Sequence, residues 1–229
     1  MLSQHGVPFE AYNVEKTPEA WRDLQRHHIP MVPAVIVGDR ATHGWNPRAL
    51  AELFGWPYEE GTRLAPDELL ARLEVILDIA HRALGQIPDQ HLDIKTPDRD
   101  RPLRRLAPHI FRIPQSFLEA AGGGSLLYES LTGDDAPAFR SMAEIRAFGD
   151  DVRQRVRAWV AGPRGVAWES TVETYYGPSR LDDLLERTVW HCAQHVRHVH
   201  ALMAQLGIAP ERPLRPEDVR GLPLPEALW

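Results

Sequence analysis

The chain has 229 residues, 43% of them hydrophobic, and a formal net charge of -6, enough apolar content to bury a core in one large domain or two small ones. The acidic balance and the lack of any basic run exclude an electrostatic grip on nucleic acid or anionic lipid, and the longest apolar stretch, around Val32 to Val37, is too short to span a bilayer. A single cysteine, Cys192, excludes an internal disulfide framework; with Ser3, Gln4 and His5 close behind Met1 and so no secretory signal expected, a cytoplasmic protein is the expectation.

The first 56 residues differ in pattern from the rest. PFEAYNV (Pro8 to Val14) reads as a strand and Pro18 to His28 as a short helix. PAVIV (Pro33 to Val37) reads as a buried strand, with ATHGW (Ala41 to Trp45) as its hairpin partner across Gly38-Asp39. Asn46 caps a helix that opens on Pro47 and runs through Phe54. This β-α-β-β-α order, with MVP (Met31 to Pro33) before one strand and GDRATHGWNPRAL after it, resembles the glutaredoxin branch of the thioredoxin fold. The resemblance implies that Pro33 follows a cis bond and flanks a thiol site, which makes Pro33 a candidate cofactor contact. The family's Cys-x-x-Cys has no counterpart, and without a cysteine in this half thiol-disulfide chemistry is excluded. The family's first strand, central in its sheet, lies upstream of the matched residues, so the segment is expected to be incomplete. Either a partner chain pairs with the open strand edge, as in a homodimer, or the start codon is set too far downstream.

Residues 57–65 (PYEEGTRLA) are polar and turn-rich and read as a linker, and residues 66–229 are helical in pattern. Pro66 and Asp67 open a helix with Leu69, Leu73, Ile76, Ala80 and Leu84 on one face. A second runs from about Pro102 to Ala121, with Leu103, Leu106, Ile110, Phe117 and Leu118 apolar; Pro114 in it removes a backbone bond and is expected to kink or break the helix just after His109. A third begins at Ser141, which forms a capping box with Glu144, and ends near Ala161. The fourth starts near Ser179, with that hydroxyl as cap and Asp182 in the first turn, and stops at Gly207. Four helices with one apolar face each imply a bundle. The connections 122–140 and 162–178 are too long for a simple up-down topology and are suited to lining a site. The Pro-rich tail is expected to pack along the bundle as extended chain, and Gly122 to Gly124 lack the spacing of a phosphate-binding loop.

TVWHCAQHVRHVH (Thr188 to His200) holds four of the eleven histidines. On a helical wheel Leu181, Leu184, Thr188, His191, His195, Val199, Leu202 and Leu206 form one stripe, so His191 and His195 point inward. Two adjacent core imidazoles need partners, and a divalent metal accepts two neutral nitrogens. His198 lies on the same face and offers the alternative pair His195 and His198. One straight helix cannot direct all three at one ion, because residues 191 and 198 stand roughly 10 Å apart along its axis. His200 is expected to be solvated and Cys192 to pack in the core. A third ligand must come from another helix. RLAPHIFRIPQSFLEA on the second helix carries His109, and with it residues 65 to 208 resemble the DinB-like superfamily of four-helix metalloproteins. The resemblance implies that His109, His191 and His195 converge on one divalent ion, zinc or nickel, and that the activity is a transfer reaction using a small cellular thiol.

The expected fold is therefore mainly α: a DinB-like four-helix bundle behind a partial, α/β, thioredoxin-like segment. Glu173, Tyr175 and Tyr176 in ETYYG precede the fourth helix and are candidate catalytic groups, Glu173 as a base and either tyrosine as a donor. Arg112 and Arg197, each two or three residues past a proposed ligand, are candidates for holding an anionic substrate. Three imidazoles leave open positions for water or a substrate atom, the mark of a catalytic site. The expected function is metal-dependent transfer of a low-molecular-weight thiol to an electrophile. The alternatives are a metal-dependent hydrolase and a metal-stabilised binding or stress-response module without turnover.

Overall fold

The computed structural model describes residues 2, 5–14, 17–44, 46–57, 63–95, 101–133, 139–162, 167–224 and 228. The chain divides into two units, residues 1–63 and 64–229, and the division falls inside the expected linker, of which 58–62 lie outside the described residues.

In the first unit α1 (Pro18–Arg26) buries only Leu24. It ends where Ile29 N–H reaches the Leu24 carbonyl at 2.9 Å and His28 takes a left-handed φ of 53°, two residues before the expected end. Strands β1 (Ala34–Val37) and β2 (Arg40–His43) form an antiparallel hairpin with Val37 opposite Arg40, so the turn is Gly38-Asp39 as expected; Trp45, included in that expected strand, lies outside the described residues. The Val32-Pro33 bond is cis. Helix α2 (Pro47–Phe54) is capped by the Asn46 side chain, which accepts from Ala49 N–H at 2.9 Å. The expected strand from Pro8 to Val14 does not form: β1 and β2 make a two-stranded sheet, and residues 8–13 pair with neither. A strand needs a neighbour to take its backbone hydrogen bonds. Phe9 and Tyr12 of this segment are more than half exposed.

The second unit is built on α3 (Pro66–Gly85), α4 (Leu103–Ala121), α6 (Met142–Ala161) and α7 (Leu181–Gln205). Helices α3 and α4 each pack against both α6 and α7, so the bundle runs α3, α7, α4, α6 around its axis. Helices consecutive in sequence sit diagonally at the connections from α3 to α4 and from α6 to α7, while the long link 122–141 joins the adjacent α4 and α6. The connections hold structure that their composition did not announce: α5 (Tyr128–Thr132) and a small antiparallel hairpin of β3 (Thr171–Val172) and β4 (Ser179–Arg180). Ser179 is therefore a strand residue and not the cap of α7, which begins at Leu181 with no side-chain cap. The cap of α6 is as expected, with Ser141 Oγ accepting from Glu144 N–H at 3.1 Å.

Helix α4 runs continuously through both prolines. Pro114 has no N–H to give the Ile110 carbonyl one turn back. That carbonyl instead accepts from Cys192 Sγ at 3.4 Å, across the α4-α7 interface. The cysteine thus fills a backbone vacancy created on the neighbouring helix, and the expected break after His109 is absent. The tail folds onto α3: Arg72 donates to the Glu217 carbonyl at 2.7 Å and Gln86 to the Ala209 carbonyl at 2.9 Å. A short 3-10 turn at Pro216–Val219, pinned by a paired Arg212-Asp218 contact at 2.8 and 2.9 Å, interrupts the expected extended chain.

Candidate metal centre

The stripe of α7 turns the two histidines toward α4. His195 is buried and His191 half-buried, and their Nε2 atoms face each other at 3.0 Å. On α4, Leu106, Ile110 and Ile113 carry the apolar face into the core, and His109 lies between them, 8% exposed. Its ring centroid is 4.9 Å from that of His195 and 5.4 Å from that of His191. One nitrogen from each of the three rings lies within 4.8 Å of the others. Three nitrogens bound tetrahedrally at about 2 Å from one ion stand roughly 3.3 Å apart, so a small inward shift of His109 completes the geometry.

The orientation of His109 is fixed from outside the cluster. Its Nδ1 lies 2.7 Å from the Leu131 carbonyl in α5; a carbonyl only accepts, so Nδ1 carries the proton and Nε2 keeps its lone pair for the cluster. This is how a metal-ligating imidazole is normally oriented. Burial first, and the Arg101 guanidinium second, hold the His109 pKa down at about 3. Burial and then the neighbouring His191 and His109 rings push His195 well below its ordinary value. Both rings are neutral at cellular pH, the state in which imidazole binds a divalent ion.

Three guanidinium groups act on His109: Arg101, Arg112 and Arg187. Arg112, one turn beyond His109, donates to the Thr132 carbonyl at 3.2 Å and packs on the rings of Phe139 and Phe148. His109 and Arg112 therefore grip adjacent carbonyls at the end of α5. Gly133 closes that turn at a φ of 60°, and a Cβ placed on it would lie 2.0 Å from the Arg112 guanidinium carbon. Arg187, one turn before His191 on α7, donates to the Tyr175 hydroxyl at 3.0 Å and lies 5.0 Å from the centre of the Tyr176 ring.

Of the catalytic candidates, Tyr175 is drawn into this group through Arg187, with its phenol pKa raised by burial, and Tyr176 stacks edge-on against it at 5.0 Å. Glu173 is exposed, and its backbone carbonyl takes the Leu126 N–H. Arg197 bonds Gln194 at 2.9 Å and is absent from the groups acting most strongly on His109 and His195. Pro33 belongs to the other unit. His198 donates from Nδ1 to the Gln194 carbonyl at 2.9 Å and stands outside the three-ring cluster. His200 is half-buried and not solvated as expected, and that burial lowers its pKa. Cys192 is fully buried with its thiol pKa pushed up by burial, as a core residue. Sequence reasoning missed Arg101, Arg187 and the Leu131 carbonyl. Extending the α7 stripe one turn back from His191 reaches Arg187; no side-chain pattern marks a backbone carbonyl in a connection.

The family model of the DinB superfamily matches residues 72–199. No curated protein sequence matches the chain. Among solved structures, YfiT from Bacillus subtilis, titled "a probable metal-dependent hydrolase with an unusual four-helix bundle topology", is 16% identical, with a TM-score of 0.47 over 67% of this chain and 96% of its own.

Proposed function

The chain belongs to the DinB superfamily, and on that premise we propose that His109, His191 and His195 hold a divalent ion, zinc or nickel, in an enzyme that transfers a low-molecular-weight thiol to an electrophile. The observation that carries the metal site is the Nδ1 contact of His109 with Leu131, which leaves Nε2 as the ring's ligating atom in a cluster with His191 and His195. All three donors are nitrogens with no carboxylate among them, a set suited to late divalent metals. When bound, such an ion supplies Lewis acidity that lowers the pKa of a thiol or water it coordinates.

The chain's own residues supply orientation. Leu131 fixes one imidazole, and the Arg187-Tyr175 pair places a donor and a cation one turn away. The nucleophile comes from outside, because the single cysteine is buried, engaged with the Ile110 carbonyl, and has its thiol pKa raised. An external thiol fits that requirement: it loses its proton to solvent, its sulfur forms the new bond to carbon, and the bond from that carbon to the electrophile's leaving group breaks, the leaving group departing to solvent with the electron pair. The test is to load the protein with zinc or nickel and assay glutathione, mycothiol and bacillithiol with an electrophile. Metal-dependent thioether formation supports the reading. Metal-dependent turnover without any thiol assigns a hydrolase instead, and stoichiometric metal with neither reaction assigns a metal-stabilised binding or stress-response module.

A further inference from the structure

We infer that the centre is built for a carboxylate-bearing ligand, whose acid group is held by Arg187 beside the Tyr175 hydroxyl while its reacting end lies at the three imidazoles. The inference rests on the reading of the histidines as a metal site and names the class of molecule that site takes.

Arg187 precedes His191 by four residues and His195 by eight on one helix, so the three side chains form a row along α7. Its bonded neighbours are a phenol oxygen at 3.0 Å and the faces of Tyr175 and Tyr176 at 6.0 and 5.0 Å. These contacts orient a guanidinium without neutralising it, and they leave a planar fork suited to a carboxylate. The Tyr175 hydroxyl, accepting from Arg187, keeps its own proton to donate, and burial of Tyr175 keeps it protonated. The Arg101 guanidinium also acts on both His109 and His195. The side chains acting on these two rings are guanidiniums and other imidazoles, with the Leu131 carbonyl opposing them at His109. A divalent cation among them raises the positive charge further, and an anionic ligand balances it. One helical turn separates the fork from His191, about 6 Å along the axis, which sets the spacing between the carboxylate and the reacting atom.

The test uses zinc-loaded full-length protein and two probes that differ only in charge, 3-mercaptopropionate and its methyl ester, with binding followed by calorimetry. Zinc stoichiometry is measured first on the wild type, Arg187→Gln and Arg187→Lys, with thermal melting as the check on folding. The expected result is tenfold or more tighter binding of the acid than of the ester in the wild type. Arg187→Gln should lose that preference at unchanged zinc content, and Arg187→Lys should keep part of it. Equal binding of acid and ester by the zinc-loaded wild type, or a preference that survives in Arg187→Gln, overturns the inference and leaves the metal reading standing. Absence of zinc with the preference intact overturns the metal reading alone. Should Arg187→Gln fail to fold, the comparison of the two probes on the wild type and on Arg187→Lys decides: no preference in the wild type overturns the inference.

Discussion

Replacing Gly133 by alanine tests whether the turn after α5 governs the metal site from a distance. Two costs add on one residue. The backbone stands at a φ of 60°, where a side chain costs about 1 to 2 kcal/mol. The new Cβ would lie 2.0 to 2.4 Å from three atoms of the Arg112 guanidinium, which must leave and give up its bond to the Thr132 carbonyl, a charged hydrogen bond worth about 1.5 to 3 kcal/mol. The stability loss is therefore about 3 to 5 kcal/mol at the upper end, less if Arg112 finds another partner. The Leu131 carbonyl that fixes the His109 tautomer is two residues away, and loss of such an outer contact typically weakens metal binding about 10- to 100-fold. Zinc affinity by competition with a chelating dye, together with urea unfolding of the metal-free protein, reads both effects. Gly207→Ala is the control, since Gly207 has a φ of 70° with open space around its Cβ position; it should lose only the backbone term and keep its zinc affinity. Zinc binding by Gly133→Ala equal to that of Gly207→Ala would refute the coupling of the turn to the site.

Other outcomes follow from the same contacts. Gly149→Ala places a Cβ 2.6 Å from the Phe111 ring and should destabilise the bundle by about 1 to 3 kcal/mol in urea unfolding through overpacking; an unchanged midpoint would show that the α4-α6 contact is loose. Arg153, 9% exposed, bonds Glu74 and Asp78 of α3 at 3.3 and 2.9 Å; in Arg153→Met Glu74 keeps Arg157 and Asp78 keeps Arg82, so the cost should be about 1 to 3 kcal/mol from the charged hydrogen bonds given up, and an unchanged midpoint in thermal melting would assign the network to the solvated surface. The His109 pKa of about 3, against 6.5 unfolded, means the unfolded chain binds more protons between those values; stability of the metal-free protein is full above about pH 6.5 and falls by about 2 kcal/mol at pH 5. A flat stability profile from pH 7 to 5 in wild type, or the same slope in His109→Gln, would contradict the burial of a neutral ring there.

The bundle was legible because its signals are local and repeated. Leu69, Leu73, Ile76, Ala80 and Leu84 all prove buried on one face of α3, and the α7 stripe placed His191 and His195 on the face that meets α4. The two prolines misled for a reason visible only in three dimensions: the carbonyl freed by Pro114 is taken by Cys192 from another helix, 82 residues away in sequence. Ser179 looked like a cap because caps and hairpin strands use the same small polar residues, and pairing with Val172 decided between them. Pro8 to Val14 had strand composition but no neighbouring strand among the described residues, and a strand is a property of pairs. The three rings of the site could be named from helical spacing and family likeness, whereas their charge environment could not. Arg187 reaches His109 through packing of α4 against α7, Arg101 from the residues just before α4, and Leu131 through a one-turn helix in a connection with no apolar period.

The account rests on His109, His191 and His195 sharing one ion, and elemental analysis of protein purified without added metal tests this most directly. One equivalent of a late divalent metal is predicted for the wild type and for His200→Ala, and almost none for His109→Ala, His191→Ala or His195→Ala. Folded wild-type protein without metal that also fails to take up zinc or nickel on titration, or single-histidine variants that keep a full equivalent, would contradict it.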